Sequence, residues 1–124
     1  MEISGRGGSG IREEVSRLKG LPVRWTAPAY EDLIEILEFV GLDRPAAARK
    51  LGRELSKQSK TLASSSLRGR IVPELWQQGI TEYHEILVSR YRMIYRLHPE
   101  AVRIEAVIDA SRDFGDVLLR RILR

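Results

Sequence analysis

The sequence predicts an α+β domain: an N-terminal helical hairpin packed on a twisted, mainly antiparallel sheet of four to five strands, ended by a short C-terminal helix. Three observations carry this. Apolar residues recur at helical spacing from Tyr30 to Leu62. From Arg70 onward the period shortens to two, in brief runs separated by turn residues. And Tyr83–Arg96 reads as two apolar-rich runs flanking Ser89-Arg90, a β-hairpin with a very short turn.

Residues 1–21 form an extension before the domain at 22–124. Gly5, Gly7, Gly8 and Gly10, with Ser4 and Ser9, make its opening flexible. Ile11, Val15 and Leu18 then share one helical face, ended by Gly20 and Pro22. Two readings stand for it: a loosely attached segment, or an upstream misassignment with the native start at Leu21. Val23-Arg24-Trp25 is a short strand. Thr26 offers an N-cap hydroxyl, Pro28 lies in the first turn, and Glu31 and Asp32 sit near the positive helix end. Tyr30, Leu33, Ile34, Leu37 and Val40 form the apolar stripe, and Gly41 is expected to close the helix. Asp43 and Pro45 restart a second helix, with Ala47, Ala48, Leu51, Leu55 and Leu62 inward and Arg49, Lys50, Arg53, Lys57 and Lys60 outward. So short a link makes the pair an antiparallel hairpin.

Arg70–Trp76 reads as a strand, with Pro73 marking an edge or a bulge, and Gln77-Gln78-Gly79 as a turn. In the next ribbon Tyr91, Met93 and Tyr95 line one face and Arg92, Ile94 and Arg96 the other. After the turn at His98-Pro99-Glu100, Val102, Ile104, Ala106 and Ile108 alternate with Arg103 and Glu105. Asp113 caps a last helix burying Phe114, Val117, Leu118 and Ile122. The helical hairpin covers one sheet face and the other is expected to stay open.

Composition narrows the function. The chain has 124 residues, the size of one domain, and 43% of them are apolar. There is no cysteine, which excludes disulfides, thiol chemistry and cysteine-based zinc sites. No run approaches a membrane span and no apolar signal core is present, which points to the cytoplasm. His84 and His98 lie at opposite ends of the ribbon, so no metal or other cofactor is expected. Phosphate-loop and nucleophile-elbow motifs are absent. The net charge is +4 and the pI near 9.8, mildly basic, which suits an anionic partner without requiring one.

What remains is arginine. Arg68, Arg70, Arg90, Arg92, Arg96, Arg103 and Arg112 fall in or beside the sheet, and guanidinium forks bind phosphates and carboxylates bidentately. They either converge on an anion-binding face or pair with Glu74, Glu82, Glu85 and Glu105. Glu85 is either a general base or the residue that ties down Arg92 from a neighbouring strand. Trp76 stacks on a base or packs. Tyr91 and Tyr95 are packing residues.

From Val23 to Leu123 the chain resembles the RelE/ParE superfamily of bacterial toxins. The resemblance rests on Val23-Arg24-Trp25-Thr26 before a helix holding Ala29 and Asp32-Leu33, then Arg44-Pro45-Ala46-Ala47. It continues through Leu67-x-Gly69-Arg70-x-Val72-Pro73-Glu74, His84-Glu85-Ile86-x-Val88, Tyr91-Arg92-Met93-Ile94-Tyr95-Arg96, and Val107 to Arg112-Asp113. It implies the toxin half of a type II toxin–antitoxin pair, of the plasmid-stabilisation kind, neutralised by a cognate antitoxin in a hetero-oligomer. RelE-like members cut messenger RNA on the ribosome. ParE-like members inhibit DNA gyrase. A RelE-like nuclease places a tyrosine or histidine near its C-terminus, yet here no tyrosine follows Tyr95 and no histidine follows His98. The segment often reading His-x-Arg-Arg-Asp is Asp109-Ala110-Ser111-Arg112-Asp113, and the usual arginine before the third-strand glutamate is His84.

These departures weaken an in-line RNA-cleavage site, where acid–base help must reach the scissile phosphate, or mark an attenuated toxin. The Gly69-Arg70-x-Val72-Pro73-Glu74 run is more typical of ParE-like members, so the resemblance implies a ParE-like gyrase inhibitor. The alternatives are a RelE-like ribosome-dependent endoribonuclease, with Arg70, Glu85, Arg92 and Arg112 as candidate catalytic residues, and a non-toxic basic module of the same fold. The residues expected to bind the target or another anion are Arg70, His84, Arg90, Arg92, Arg96 and Arg112. Apolar residues of the helical hairpin, Leu33, Leu37, Val40, Leu51 and Leu55, are expected to meet the antitoxin.

Overall fold

The structure, a computed structural model, describes residues 20–112 and 114–122. The amphipathic turn expected around Ile11–Leu18, the Asp113 cap and the Phe114 side chain lie outside the described residues. The elements are β1 (Val23–Trp25), α1 (Ala27–Asp43), α2 (Pro45–Thr61), β2 (Arg70–Ile71), α3 (Pro73–Trp76), β3 (Tyr83–Val88), β4 (Tyr91–Leu97), β5 (Val102–Asp109) and α4 (Phe114–Ile122). The strands form one sheet in the order β1-β5-β4-β3-β2. Only β1 and β5 run parallel; the other three pairs are antiparallel. The chain is thus α+β, a helical hairpin on a five-stranded sheet with a short C-terminal helix.

Thr26 is the N-cap of α1. Its hydroxyl accepts from the Ala29 N–H at 3.3 Å and donates to the Ile104 carbonyl at 3.0 Å, so one side chain starts the helix and ties it to β5. Gly41 does not end α1, contrary to the sequence reading; the helix runs on to Asp43 and the following Pro45 stops it. Gly41 instead lets the helices approach: a Cβ there would lie 3.5 Å from the Ala48 Cβ. The basic face of α2 points to solvent, and Leu55 and Leu62 are fully buried.

The hairpin packs on one face of the sheet against Ile86, Val88, Tyr91, Met93, Tyr95, Val102, Ile104 and Val107. Complete burial of side chains such as Leu55, Met93 and Ile104 contributes about 1.5–3 kcal/mol each. The Tyr91–Met93–Tyr95 row lies here, as its alternation predicts.

The opposite face is not open, which corrects the sequence reading. Val72, Leu75, Tyr83, Ile94, Ala106, Ile108 and Leu118 form a second core beneath α3 and α4. Two local features create it. The first is that Arg70–Trp76 is not one strand. The strand is only Arg70–Ile71, the Val72 N–H adds one bond to the Tyr83 carbonyl of β3, and Pro73 opens a helical turn rather than a bulge. Proline suits that first turn because its missing N–H is an orphan there anyway. The second is a bulge in β5. Ile94 pairs with Ala106 but Tyr95 with Ile104, leaving Glu105 extra. The alternation therefore slips: Val102 and Ile104 face the hairpin, whereas Ala106 and Ile108 face the second core.

β5 is central, not an edge. β1 covers Val102–Ile104. Beyond it, Asp32 of α1 accepts from the Val107 N–H at 3.0 Å, and Arg121 of α4 donates to the Glu105 carbonyl at 3.3 Å while bonding Asp32 at 2.8 Å. The two side chains close the backbone edge that the short β1 leaves uncovered.

In the two-residue turn between β3 and β4, Ser89 adopts φ 57°, the left-handed region where a Cβ is strained. Ser89→Gly is expected to stabilise the domain by roughly 0.5–1 kcal/mol, read as a higher denaturant midpoint with an unchanged m-value.

Candidate functional site

On the face away from the helical hairpin, β2, β3, β4 and α3 bring four charged side chains into one chain of contacts. The β2–β3 register sets Arg70 opposite Glu85, and the β3–β4 register sets Arg92 diagonal to it. Glu85 accepts from Arg70 Nε at 2.6 Å through Oε2 and from Arg92 Nε at 2.7 Å through Oε1. The Arg92 fork turns to Glu74 of α3, donating from Nη2 at 2.8 Å and Nη1 at 3.0 Å. This is the bidentate geometry that makes arginine–carboxylate pairs strong. Glu85 is 4% exposed and Arg92 11%, whereas Arg70 is 68% exposed.

The electrostatics follow. The Arg92 hydrogen bond holds the Glu74 carboxyl below its usual range despite partial burial. Burial works against the charge of Arg92, but the hydrogen bonds it donates to Glu74 and Glu85 more than offset it and move its pKa up. Both Glu85 oxygens receive charge-assisted hydrogen bonds, and Glu85 ties down Arg92 from the neighbouring strand.

An open groove of about 660 Å³ runs beside this cluster, lined by Arg68, Arg70, Glu85, Ile86, Leu87, Arg92 and Ala110. Its outward cations are Arg68 and Arg70. Arg68 reaches back to α2, donating to Gln58 Oε1 at 2.7 Å and Thr61 Oγ1 at 3.0 Å. The loop carrying both arginines is pinned by Tyr95: its hydroxyl accepts from the Gly69 N–H at 2.9 Å and donates to the Ser66 carbonyl at 2.8 Å.

The arginines and histidine grouped from sequence do not converge. Arg70 and Arg92 share the groove. His84 points to the opposite face, stacked on Tyr95 with ring centroids 5.7 Å apart, and burial pushes its pKa down. Arg90, in the β3–β4 turn, pairs with Asp109 at 2.9 Å. Arg112 is exposed in the turn after β5. Arg96 lies near the far end of β4, 5.5 Å from the Tyr83 ring centre and 3.6 Å from Glu105. A sheet face rather than a strand decides these groupings, and alternation alone would have separated His84 from Arg92.

Of the apolar residues expected to meet the antitoxin, Leu55 is fully buried, and Leu33 and Leu51 pack against the same core. Leu37 lies against Gly52 of α2, its Cδ1 3.3 Å from where a Cβ would stand. Val40 is half-buried. The exposed apolar residues of the hairpin are Tyr30, Ile34, Phe39 and Leu42, with Phe39 77% and Leu42 81% accessible. The helical period placed Leu33, Leu37 and Val40 on the inner side of α1, but Tyr30 and Ile34 of the stripe it marked are exposed and Ile36, outside that stripe, packs on the core. Trp76 is exposed at the end of α3 and Leu87 in the groove. Among the described residues no group of three or more His, Asp or Glu is placed to hold a metal ion, and no helix is long and apolar enough to cross a membrane.

Comparison with known families decides the identity. Residues 23–114 match the family model described as ParE toxin of type II toxin-antitoxin system, parDE. The chain belongs to the ParE toxin family. No curated protein matches it. Among the solved structures that do match, the chromosomal ParDE toxin–antitoxin system of P. aeruginosa superposes with a TM-score of 0.63 at 17% identity, covering 74% of this chain and 98% of that one. At that identity the likeness is one of fold: a helical hairpin on an open mixed sheet. Within this ParE-family domain the Arg70–Glu85–Arg92–Glu74 chain therefore sits on the sheet face that the helical hairpin leaves free.

Proposed function

We propose that this ParE-family toxin inhibits growth by binding DNA gyrase, not by cutting RNA, and that a cognate antitoxin holds it inactive. The observation that carries this reading is the closed Glu85–Arg92–Glu74 network. A nuclease at this groove needs a group free to take or give a proton at the scissile phosphate. Glu85 is buried and doubly bonded, Arg92 is spent on two carboxylates, and the groove is lined by neither tyrosine nor histidine. Arg68 and Arg70 remain as cations suited to holding an acidic or phosphorylated target.

The antitoxin is expected to cover the apolar residues α1 leaves outside, Phe39 and Leu42, beside Glu35 and Glu38. Phe39→Glu with Leu42→Glu should reduce co-purification of the antitoxin at least tenfold; undiminished co-purification removes this surface from the proposal.

Induced expression with pulse labelling tests the activity. DNA synthesis is expected to stop before protein synthesis, with the arrest relieved by the antitoxin and with gyrase supercoiling inhibited in vitro. Early loss of full-length messenger RNA and of translation would overturn this reading for the ribosome-dependent nuclease. Unimpeded growth would leave a basic module of the same fold.

A further inference from the structure

We propose a second oxyanion site, separate from the groove, at the end of the sheet where β1, β5 and β4 set three arginines side by side. Arg24 is in register with Arg103, and Arg103 with Arg96. All three share one face. Val23, Trp25, Val102, Ile104, Tyr95 and Leu97 point to the hairpin core, so the residues between them point away. Neighbouring strands lie about 4.8 Å apart, and like charges directly opposite one another destabilise a sheet.

The row is under-neutralised. Glu105 is the carboxylate that serves it, 3.6 Å from Arg96 Nε and 3.8 Å from Arg103 Nε. Both contacts are longer than a hydrogen bond, and Arg96 Nε and Glu105 Oε2 are buried without hydrogen-bond partners. His98 Nε2 faces two guanidiniums, with Arg96 Nη2 at 3.0 Å and Arg103 Nη1 at 3.4 Å. One ring nitrogen thus stands between two guanidiniums, with no carboxylate between them. Among the described residues no ion pair engages Arg24.

A cavity of about 420 Å³ opens beside the row, lined by Arg24, Trp25, Thr26, His98, Glu100, Ala101 and Arg103. Glu100 is the carboxylate in that lining and is exposed in the turn, where solvent weakens its opposition. Adjacent guanidinium forks over a cavity fit a phosphate group, which offers several acceptor oxygens and up to two negative charges. The site is distinct from the groove. Arg96 stands four residues beyond Arg92 on β4, and the apolar packing of Ile94 and Ala106 under Leu118 lies between them. Nothing in the gyrase reading is needed for it.

The phosphate has two possible sources, a nucleic-acid backbone or a free phosphate ester, and the test separates them. Purified full-length chain is titrated with inorganic pyrophosphate by calorimetry and with duplex DNA by fluorescence anisotropy across a salt series. Arg24→Gln is the informative variant, because Arg24 is exposed and bears no ion pair whose loss would unfold the domain. Arg53→Gln, the same charge change on the outer face of α2, is the control. Pyrophosphate binding is expected to fall at least tenfold in Arg24→Gln and to be unchanged in Arg53→Gln. If a backbone is the source, the slope of log affinity against log salt also falls by about one in Arg24→Gln alone. An unchanged DNA slope with lost pyrophosphate binding assigns the site to a free ester. No pyrophosphate binding by the unmodified chain, or equal losses in the two variants, overturns the proposal.

Discussion

Replacing Arg92 by alanine is expected to destabilise the domain by about 3 kcal/mol, the scale on which breaking one partner out of a buried ion pair acts. The substitution leaves the Glu85 carboxylate, 4% exposed, with only the outlying Arg70, and Glu74 with no fork to accept. For a domain of this size that is a fall in thermal midpoint on the order of 10 °C. Arg70→Ala removes the same charge from the same carboxylate but is expected to cost no more than about 1 kcal/mol, because Arg70 is largely solvated and Arg92 still satisfies Glu85. Urea denaturation of the two variants checks the contrast; equal losses would mean that the network is not the cause.

The same network makes stability acid-sensitive. Glu74 has a folded-state pKa below its ordinary 4.5, so its contribution is fully present above that value and is lost as the pH falls through the lower folded-state value. Arg92→Ala should flatten this acid limb.

Gly69→Ala is expected to cost about 2–4 kcal/mol, from overpacking together with one or two broken hydrogen bonds. A Cβ at Gly69 would stand 2.5 Å from the Tyr95 hydroxyl and 2.6 Å from the Glu85 carbonyl. The first obstacle is the ring that pins the loop; the second is backbone of β3 and cannot rotate away. Relief requires the 66–70 loop to lift, which breaks the Gly69 N–H bond to Tyr95 and moves Arg68 and Arg70 off the groove. The variant should therefore lose both stability and growth inhibition. Tyr95→Phe, which removes the hydroxyl without adding bulk, should cost about 1–2 kcal/mol and separate the anchoring from the clash. If Gly69→Ala unfolds at the same denaturant concentration as the unaltered chain, the close approach is not a constraint.

Much of this was legible in the residues themselves. The Thr26 cap, the two helices, the basic outer face of the second, and the division of Tyr91, Met93 and Tyr95 from Arg92, Ile94 and Arg96 all follow from local periodicity. The pairing of Glu85 with Arg92 was one of two roles the sequence left open. Arg24 carried no signal, because a strand of three residues has too little alternation to show which face its middle residue takes. Asp32 and Arg121 were likewise invisible as a pair: 89 positions apart in sequence, they meet only where β1 ends and leaves two backbone groups of β5 to be satisfied.

The sequence by itself determined the α+β class, the helical hairpin, the central ribbon and its two faces, since each rests on contacts within one helix or between adjacent strands. The tertiary structure alone decided that Pro73 starts a helical turn, that β5 slips phase at Glu105, that a second core closes most of the other face, and which arginines are spent and which remain outside. The physical reason is common to all four. A short segment with weak local preference takes whatever conformation satisfies its backbone and buries its apolar side chains, and a guanidinium is neutralised by whichever carboxylate the sheet register brings beside it. Neither is known until distant parts of the chain have met.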